Sequence, residues 1–267
     1  MSEQSEREAI IREIAKKRVV YRAAGVDALP APRDLTYQSS SGASLSMQVH
    51  YPASASSRVP VVVVPFGYPD PEAGVRMFGP VTSWVQSFAA SGMAGVIYGT
   101  TAPDKDVHAV LNHLRANEHS LGLDPTRLGL FATSGHVPVA LSTLMHDPHI
   151  RCAALLYGYT MDVDGSTAVA NMSGQVGFVN ACAGRSVNDL PDNVPMLFVR
   201  AGRDQLPGLN DALDGLLSGA LKRNLPFTLI NHAPGGHGFD CDEDSDASRG
   251  IIRQVLAFLR FHLQVRW

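Results

Sequence analysis

The sequence predicts an α/β protein, a mainly parallel β-sheet with helices on both faces. Three observations carry that prediction. Short runs of β-forming residues alternate with helical patterns of roughly a dozen residues, the spacing that right-handed crossovers between parallel strands require. The run Val61-Val62-Val63-Val64 is apolar throughout, as a strand buried on both faces is. Ahead of it, residues 35–37 and 45–51 flank the turn Ser41-Gly42-Ala43 and read as an antiparallel hairpin.

The elements follow in order. Residues 6–18 are amphipathic at helical spacing, with Ile10, Ile11, Ile14 and Ala15 opposite the charges. A stretch rich in Pro and Ala (28–32) sets off this N-terminal extension, residues 1–33, from a main domain at 34–267. After the hairpin come a strand at 61–64, a helix at 81–91 with Gly92 as its C-cap, and a strand at 93–98. A helix at 106–119 is closed by Gly122, and Asp124-Pro125 leads into a strand at 127–132. The alternation then continues through a helix (137–145) and strands at 153–157 and 196–200. A helix (209–222), a strand (227–230) and a terminal helix (248–263) complete it. The connection at 160–193 is too long for an ordinary loop, which marks a small lid or an ordered substrate loop.

Composition excludes several function classes. Of the 267 residues, 45% are apolar and 18% charged, the balance of a soluble globular chain with a sizeable core. A net charge of −3, with no basic stripe, gives no case for nucleic acid or an anionic membrane. The apolar runs are far shorter than the roughly 20 residues that cross a bilayer. Residues 1–7 are polar, unlike a secretion signal, and Cys152, Cys182 and Cys241 show no disulfide or redox pattern. A cytoplasmic location is therefore expected. His108, His113 and His119 lack the spacing of ligands on one helical face and read as surface residues. Asp240, Asp242, Glu243, Asp244 and Asp246 lack the glycine and terminal glutamate of a calcium loop and suit the start of a helix. With no phosphate loop either, neither metal nor other cofactor is expected, and the expected partner is a small molecule.

The chemistry concentrates at Ala132-Thr133-Ser134-Gly135-His136, where a short apolar run meets a helical pattern. A serine at a strand-to-helix turn has its hydroxyl pushed out at the carboxyl edge of the sheet, the geometry of a nucleophile elbow. Glycines usually stand two residues either side; here those positions hold Ala132 and His136, so the motif is degenerate. A serine hydroxyl needs a histidine to take its proton, and the histidine needs a carboxylate to orient it. Both follow in the chain. The strand at 196–200 runs into Ala201-Gly202-Arg203-Asp204, and the strand at 227–230 into Pro234-Gly235-Gly236-His237-Gly238-Phe239-Asp240.

With Ser134, Asp204 and His237 in this order, the chain resembles the α/β-hydrolase superfamily, near its dienelactone hydrolase-like and small esterase branch. The resemblance covers the chain from about Val20 onward and implies a Ser134 nucleophile, an Asp204 acid and a His237 base. Dienelactone hydrolase itself uses cysteine as nucleophile, so Ser134 points away from that specific activity. The resemblance also implies an oxyanion hole from the N–H of Gly135 and that of Tyr68, in the loop Pro65-Phe66-Gly67-Tyr68 where many hydrolases have histidine in place of Phe66. Phe66, His136, Tyr159, Met161 and Phe178 are candidates to line a substrate pocket.

The residues taken singly have plainer readings: Asp204 as a cap for the helix at 209, His237 as a loop histidine, His136 as a tolerated intrusion into the elbow. Jointly they predict a serine hydrolase acting on a small carboxylic ester or lactone. An acyltransferase or carbon–carbon hydrolase would use the same triad, and a non-catalytic binding protein would keep only the fold. The interspersed Ala168, Ala170, Gly174, Gly177 and Ala181 of the 160–193 connection predict a shallow pocket and short acyl groups.

Overall fold

In the computed structural model, which describes residues 13–54, 58–73 and 78–264, eight strands form one sheet. They are β1 (Arg33–Gln38), β2 (Ser44–His50), β3 (Val59–Val63), β4 (Ala94–Tyr98), β5 (Leu123–Thr133), β6 (Ile150–Leu156), β7 (Met196–Ala201) and β8 (Phe227–His232). Their order is β1-β2-β4-β3-β5-β6-β7-β8, with the β1–β2 and β2–β4 pairings antiparallel and all the others parallel. The hairpin followed by a parallel remainder is the predicted plan.

All residues of β3 and β4 are buried, which explains their uninterrupted apolar character. Alternate side chains still serve different cores. Val61 and Val63 join one apolar cluster, and Val62 and Val64 the other. The first cluster is filled by α2 (Pro103–Ala116), α4 (Val137–His146) and α6 (Leu209–Lys222). The second is filled by α1 (Gly79–Ala90) and α8 (Asp246–His262). Pro60, which has no N–H for a ladder, stands where the register between β3 and β5 shifts.

Several boundaries differ from expectation. The helix expected at 106–119 is two, α2 and a single turn α3 (Glu118–Leu121), which Gly122 closes with φ 64°. Its β5 successor begins at Leu123 because residues ahead of the apolar run also pair with β3. His108 and His113 are half-buried on α2 rather than surface residues, and burial pulls both below the usual imidazole range. The N-terminal helix is seen only as residues 13–16, since 1–12 lie outside the described residues. The 160–193 connection is ordered and carries a helix, α5 (Ala168–Val176). No helix among the described residues is long and apolar enough to cross a membrane.

A buried carboxylate fastens the antiparallel end of the sheet to the second crossover helix, α2. Asp106 of α2 has no exposed surface. It accepts hydrogen bonds from the Ser40 N–H (2.8 Å) and hydroxyl (2.6 Å), the Thr100 hydroxyl (2.8 Å), and the Thr101 and Ala102 N–H groups (both 2.9 Å). Burial alone would push its carboxyl up; the Ser40, Ala102 and Thr100 donors outweigh that and hold it down at about 2. Because the folded-state value lies below the unfolded one, this stabilisation is complete above about 4 and is lost as pH falls through about 2. Asp106→Asn should therefore cost about 2–4 kcal/mol in urea unfolding at pH 7, with the gap to wild type closing toward pH 2. A cost under about 1 kcal/mol at pH 7 would remove Asp106 from this role.

Candidate active site

The site lies at the carboxyl ends of β3, β5, β6, β7 and β8, where the sheet brings distant residues together. Strand β5 ends at Thr133 in extended backbone, and Ser134 then turns to φ 51° before α4 begins. A left-handed φ at a non-glycine residue costs on the order of 1–2 kcal/mol, so packing must hold it. The neighbouring loops do so. A Cβ placed on Gly67 would lie 2.0 Å from the Gly135 carbonyl oxygen, and one on Gly158 would lie 2.1 Å from a Val137 methyl. The glycines missing from positions 132 and 136 are thus replaced by Gly67 and Gly158, which make room from the other side of each contact. Ala132 itself is fully buried in the strand.

The Ser134 hydroxyl stands 2.9 Å from Nε2 of His237, and Nδ1 of His237 stands 2.7 Å from Oδ2 of Asp204. The Asp204 side chain has no exposed surface, while that of His237 is 30% exposed, so the base faces the opening and the acid lies behind it. The second Asp204 oxygen accepts the Leu206 N–H at 3.0 Å. Asp204 does not cap α6, whose N-cap is Gly208 without a side-chain bond. The three residues expected from the sequence come together in one hydrogen-bonded chain.

His136 has a definite task that sequence reasoning left open. Its Nδ1 accepts the Gly67 N–H at 2.7 Å. Accepting requires the neutral ring, and burial holds His136 down at about 4, well below the usual imidazole value. On the other side, the Gly67 carbonyl accepts the Val179 N–H at 2.7 Å. With its donor committed to the elbow and its acceptor to the 160–193 segment, Gly67 is held at both ends. The only sequence signal for this was the unusual residue at position 136.

Around the elbow the aromatic rings form a continuous wall. His136 meets Phe66 at 5.2 Å and Tyr68 at 5.4 Å between ring centroids, and Tyr159 stacks on Phe178 at 5.2 Å with planes 18° apart. Tyr68 also meets Phe178 edge-on at 6.4 Å, joining the two groups. Four of the five expected pocket residues therefore share this wall. Met161 does not; it is fully buried in the first core cluster, because the chain has turned inward by that point. The segment that carries Phe178 is tied down by the Val179 bond to Gly67 and by Cys182, whose thiol lies 3.2 Å from the Pro138 carbonyl. Asp162 accepts the Val169 and Ala170 N–H groups and so secures the start of α5.

Only solved structures yield matches: no protein-family model and no curated protein sequence matches the chain. A thermostable esterase from Pseudomonas putida ECU1011 is similar at TM-score 0.73 and 17% identity, over 100% of this chain and 92% of that one. The fold is that of the α/β-hydrolases. A thermophilic carboxylesterase cloned from a metagenomic library is similar at TM-score 0.72 and 16% identity, over 99% of this chain and 98% of its own. A bacterial heroin esterase is similar at TM-score 0.72 and 15% identity, over 97% of this chain and 90% of its own. In this α/β-hydrolase fold the sheet order already described places Ser134, Asp204 and His237 at one edge.

The His136 contact generates a test. His136→Leu removes the acceptor for Gly67 and should lower kcat/KM on p-nitrophenyl acetate about 10- to 100-fold. His136→Asn, whose carbonyl oxygen stands near the position of Nδ1, should recover most of it. The folded-state value is below the unfolded 6.5, so His136 supports the fold fully above 6.5, and that support drains away as pH falls toward about 4. Urea midpoints of wild type should drop over that window more steeply than those of His136→Asn. Equal activity of the Leu and Asn variants would show that the contact does not matter.

Proposed function

We propose that this protein is a serine hydrolase of small carboxylic esters or lactones, close to the small esterase branch, working through an acyl-enzyme. The observation that carries the reading is the unbroken chain from Ser134 through His237 to the buried Asp204. Ser134 Oγ attacks the ester carbonyl while His237 Nε2 takes its proton. Asp204 fixes the ring with Nδ1–H toward itself and stabilises the imidazolium that forms. His237 returns the proton to the departing alcohol, then activates the water that clears the acyl group from Ser134.

The tetrahedral oxyanion is received by backbone donors, Gly135 and Tyr68. Within the Phe66-Gly67-Tyr68 loop the choice of Tyr68 has a physical basis. The Gly67 N–H is engaged by His136. The Gly67 carbonyl and the Tyr68 N–H belong to one trans peptide and point in opposite directions. Since the carbonyl turns to Val179, the N–H turns away from the 160–193 segment.

Phe66, Tyr159 and Phe178 are each less than 10% exposed, which favours a short acyl group over a long one. An acyl tail extending past this packed wall stays in water and gains none of the roughly 0.8 kcal/mol per methylene that burial provides.

Two measurements test the reading. Ser134→Ala should keep its fold and lose about 10⁴- to 10⁶-fold in turnover of activated esters, and a variant retaining a tenth of the wild-type rate would sink it. Across a p-nitrophenyl ester series, kcat/KM should peak at acyl chains of about two to six carbons. Efficiency still rising at twelve carbons would point instead to a long apolar groove.

A further inference from the structure

The acidic run after His237 was expected to complement the last helix, and most of it does. Asp244 and Asp246 pair with Arg249, and Asp242 with Lys17. Asp240 does something else. It lies on the single turn α7 (Phe239–Asp242), directly beneath the histidine loop, and is 1% exposed. Its Oδ1 accepts the Tyr157 hydroxyl at 2.6 Å and its Oδ2 the Trp84 indole N–H at 2.7 Å. Tyr157 follows β6 with φ 34°, a second strained non-glycine residue at the same sheet edge. Its ring stands edge-on to His237, 5.0 Å between centroids. From the Asp240 oxygen to the imidazole is therefore a two-step path through one tyrosine.

We propose that Asp240 is a second carboxylate serving His237: it locks the Tyr157 ring against the imidazole and places a further negative charge behind it. The imidazolium formed on proton transfer is then held by Asp204 through a hydrogen bond and by Asp240 through space. This rests on the triad reading given above, and it makes Asp240 a positioning residue rather than a catalytic one.

The surroundings favour a charge that acts on His237. Nothing cationic touches the Asp240 carboxylate in the hydrogen bonds described; both of its partners are neutral donors. Burial holds its carboxyl above the usual carboxylate range; the Tyr157 and Trp84 donors and its own N–H pull against that, and His237 adds a smaller downward pull. The imidazole itself faces Ser134 just after β5, Asp204 from the turn after β7 and Tyr157 just after β6. Also near α7 stand Cys241, the Asp242–Lys17 pair and Arg18, the two cations coming from the N-terminal segment. Lys17 is partly exposed and already paired with Asp242. The path length sets the distance from Asp240 to the imidazole at no more than about 10 Å, close enough for a buried charge to matter.

Asp240→Asn is the direct test. An asparagine oxygen still accepts from Trp84, and its amide donates to the Tyr157 oxygen, so charge is removed while the packing is kept. The plateau of kcat/KM on p-nitrophenyl acetate should fall about three- to tenfold. The acid limb of the rate profile should move to lower pH by about half to one unit. A purely structural role would lower stability or rate without moving the limb. The same displacement should appear in the ¹³C titration of the His237 ring, identified by its loss in His237→Gln, which needs no turnover. That readout separates this proposal from the triad reading, which the Ser134→Ala assay tests. Should Asp240→Asn not fold, Tyr157→Phe keeps the ring but strips one donor from the carboxylate, easing its protonation, and should displace the limb and the ring titration in the same direction. A limb and a ring titration that stay in place in a folded variant would overturn the proposal.

Discussion

The left-handed turn at Ser134 is the constraint on which this end of the molecule depends. A residue with a Cβ is held at φ 51° only because its surroundings leave it no cheaper conformation. Strand β5 enters from one side with the fully buried Ala132, and α4 leaves on the other with Val137 packed against Gly158. The third restraint comes from outside the β5–α4 unit. Gly67 lies against the Gly135 backbone too closely for any side chain, and its N–H is caught by His136. The residue that makes the elbow motif degenerate is thus the one that fastens the next loop to it.

The electrostatics of the site follow a consistent rule: each buried ionisable group is either kept neutral or surrounded by donors. His136 is neutral, held at about 4 by burial, and acts only as an acceptor. Asp204 has the His237 ring on one oxygen and a backbone N–H on the other. Asp240 has a phenol and an indole. The same rule operates far from the site at Asp106, whose five donors tie the hairpin to the second crossover. Burying a carboxylate without a fixed counter-ion is costly. Where it is done next to a histidine that touches a strained serine, the cost is intelligible as support for proton transfer.

Most of the architecture was legible in the sequence because its signals were local. The run at 61–64 had to be a doubly buried strand, and the Ala201-Gly202-Arg203-Asp204 turn had to leave its acid at a strand end. The meeting of Ser134, Asp204 and His237 was legible for the same reason: each lies within about five residues of a strand's carboxyl end, so chain order brings them to one edge. What the sequence could not show were contacts between residues remote in the chain. Gly67 and His136 are separated by 69 positions, Trp84 and Asp240 by 156, and nothing local distinguishes them. Asp240 was hidden more thoroughly, because it stands in a run of acids that otherwise behave as surface charges. Met161 misled in the opposite sense: an apolar residue in a segment near the site reads as pocket lining, yet the chain turns into the core there.

These remote contacts also bear on whether the fold serves turnover or only binding. A binding module needs a shaped, apolar wall, and the rings of Phe66, Tyr68, His136, Tyr159 and Phe178 would supply one by themselves. It has no need of two strained non-glycine residues, Ser134 and Tyr157, at adjacent strand ends. Nor does it need a fully buried Asp204 side chain oriented on a half-exposed histidine. Each of these features lowers stability unless it is compensated by packing, and here each is compensated by several independent contacts converging on Ser134 and His237. Strain and buried charge concentrated on one oxygen and one imidazole are what acyl transfer to serine uses, and what simple recognition of a small molecule does not.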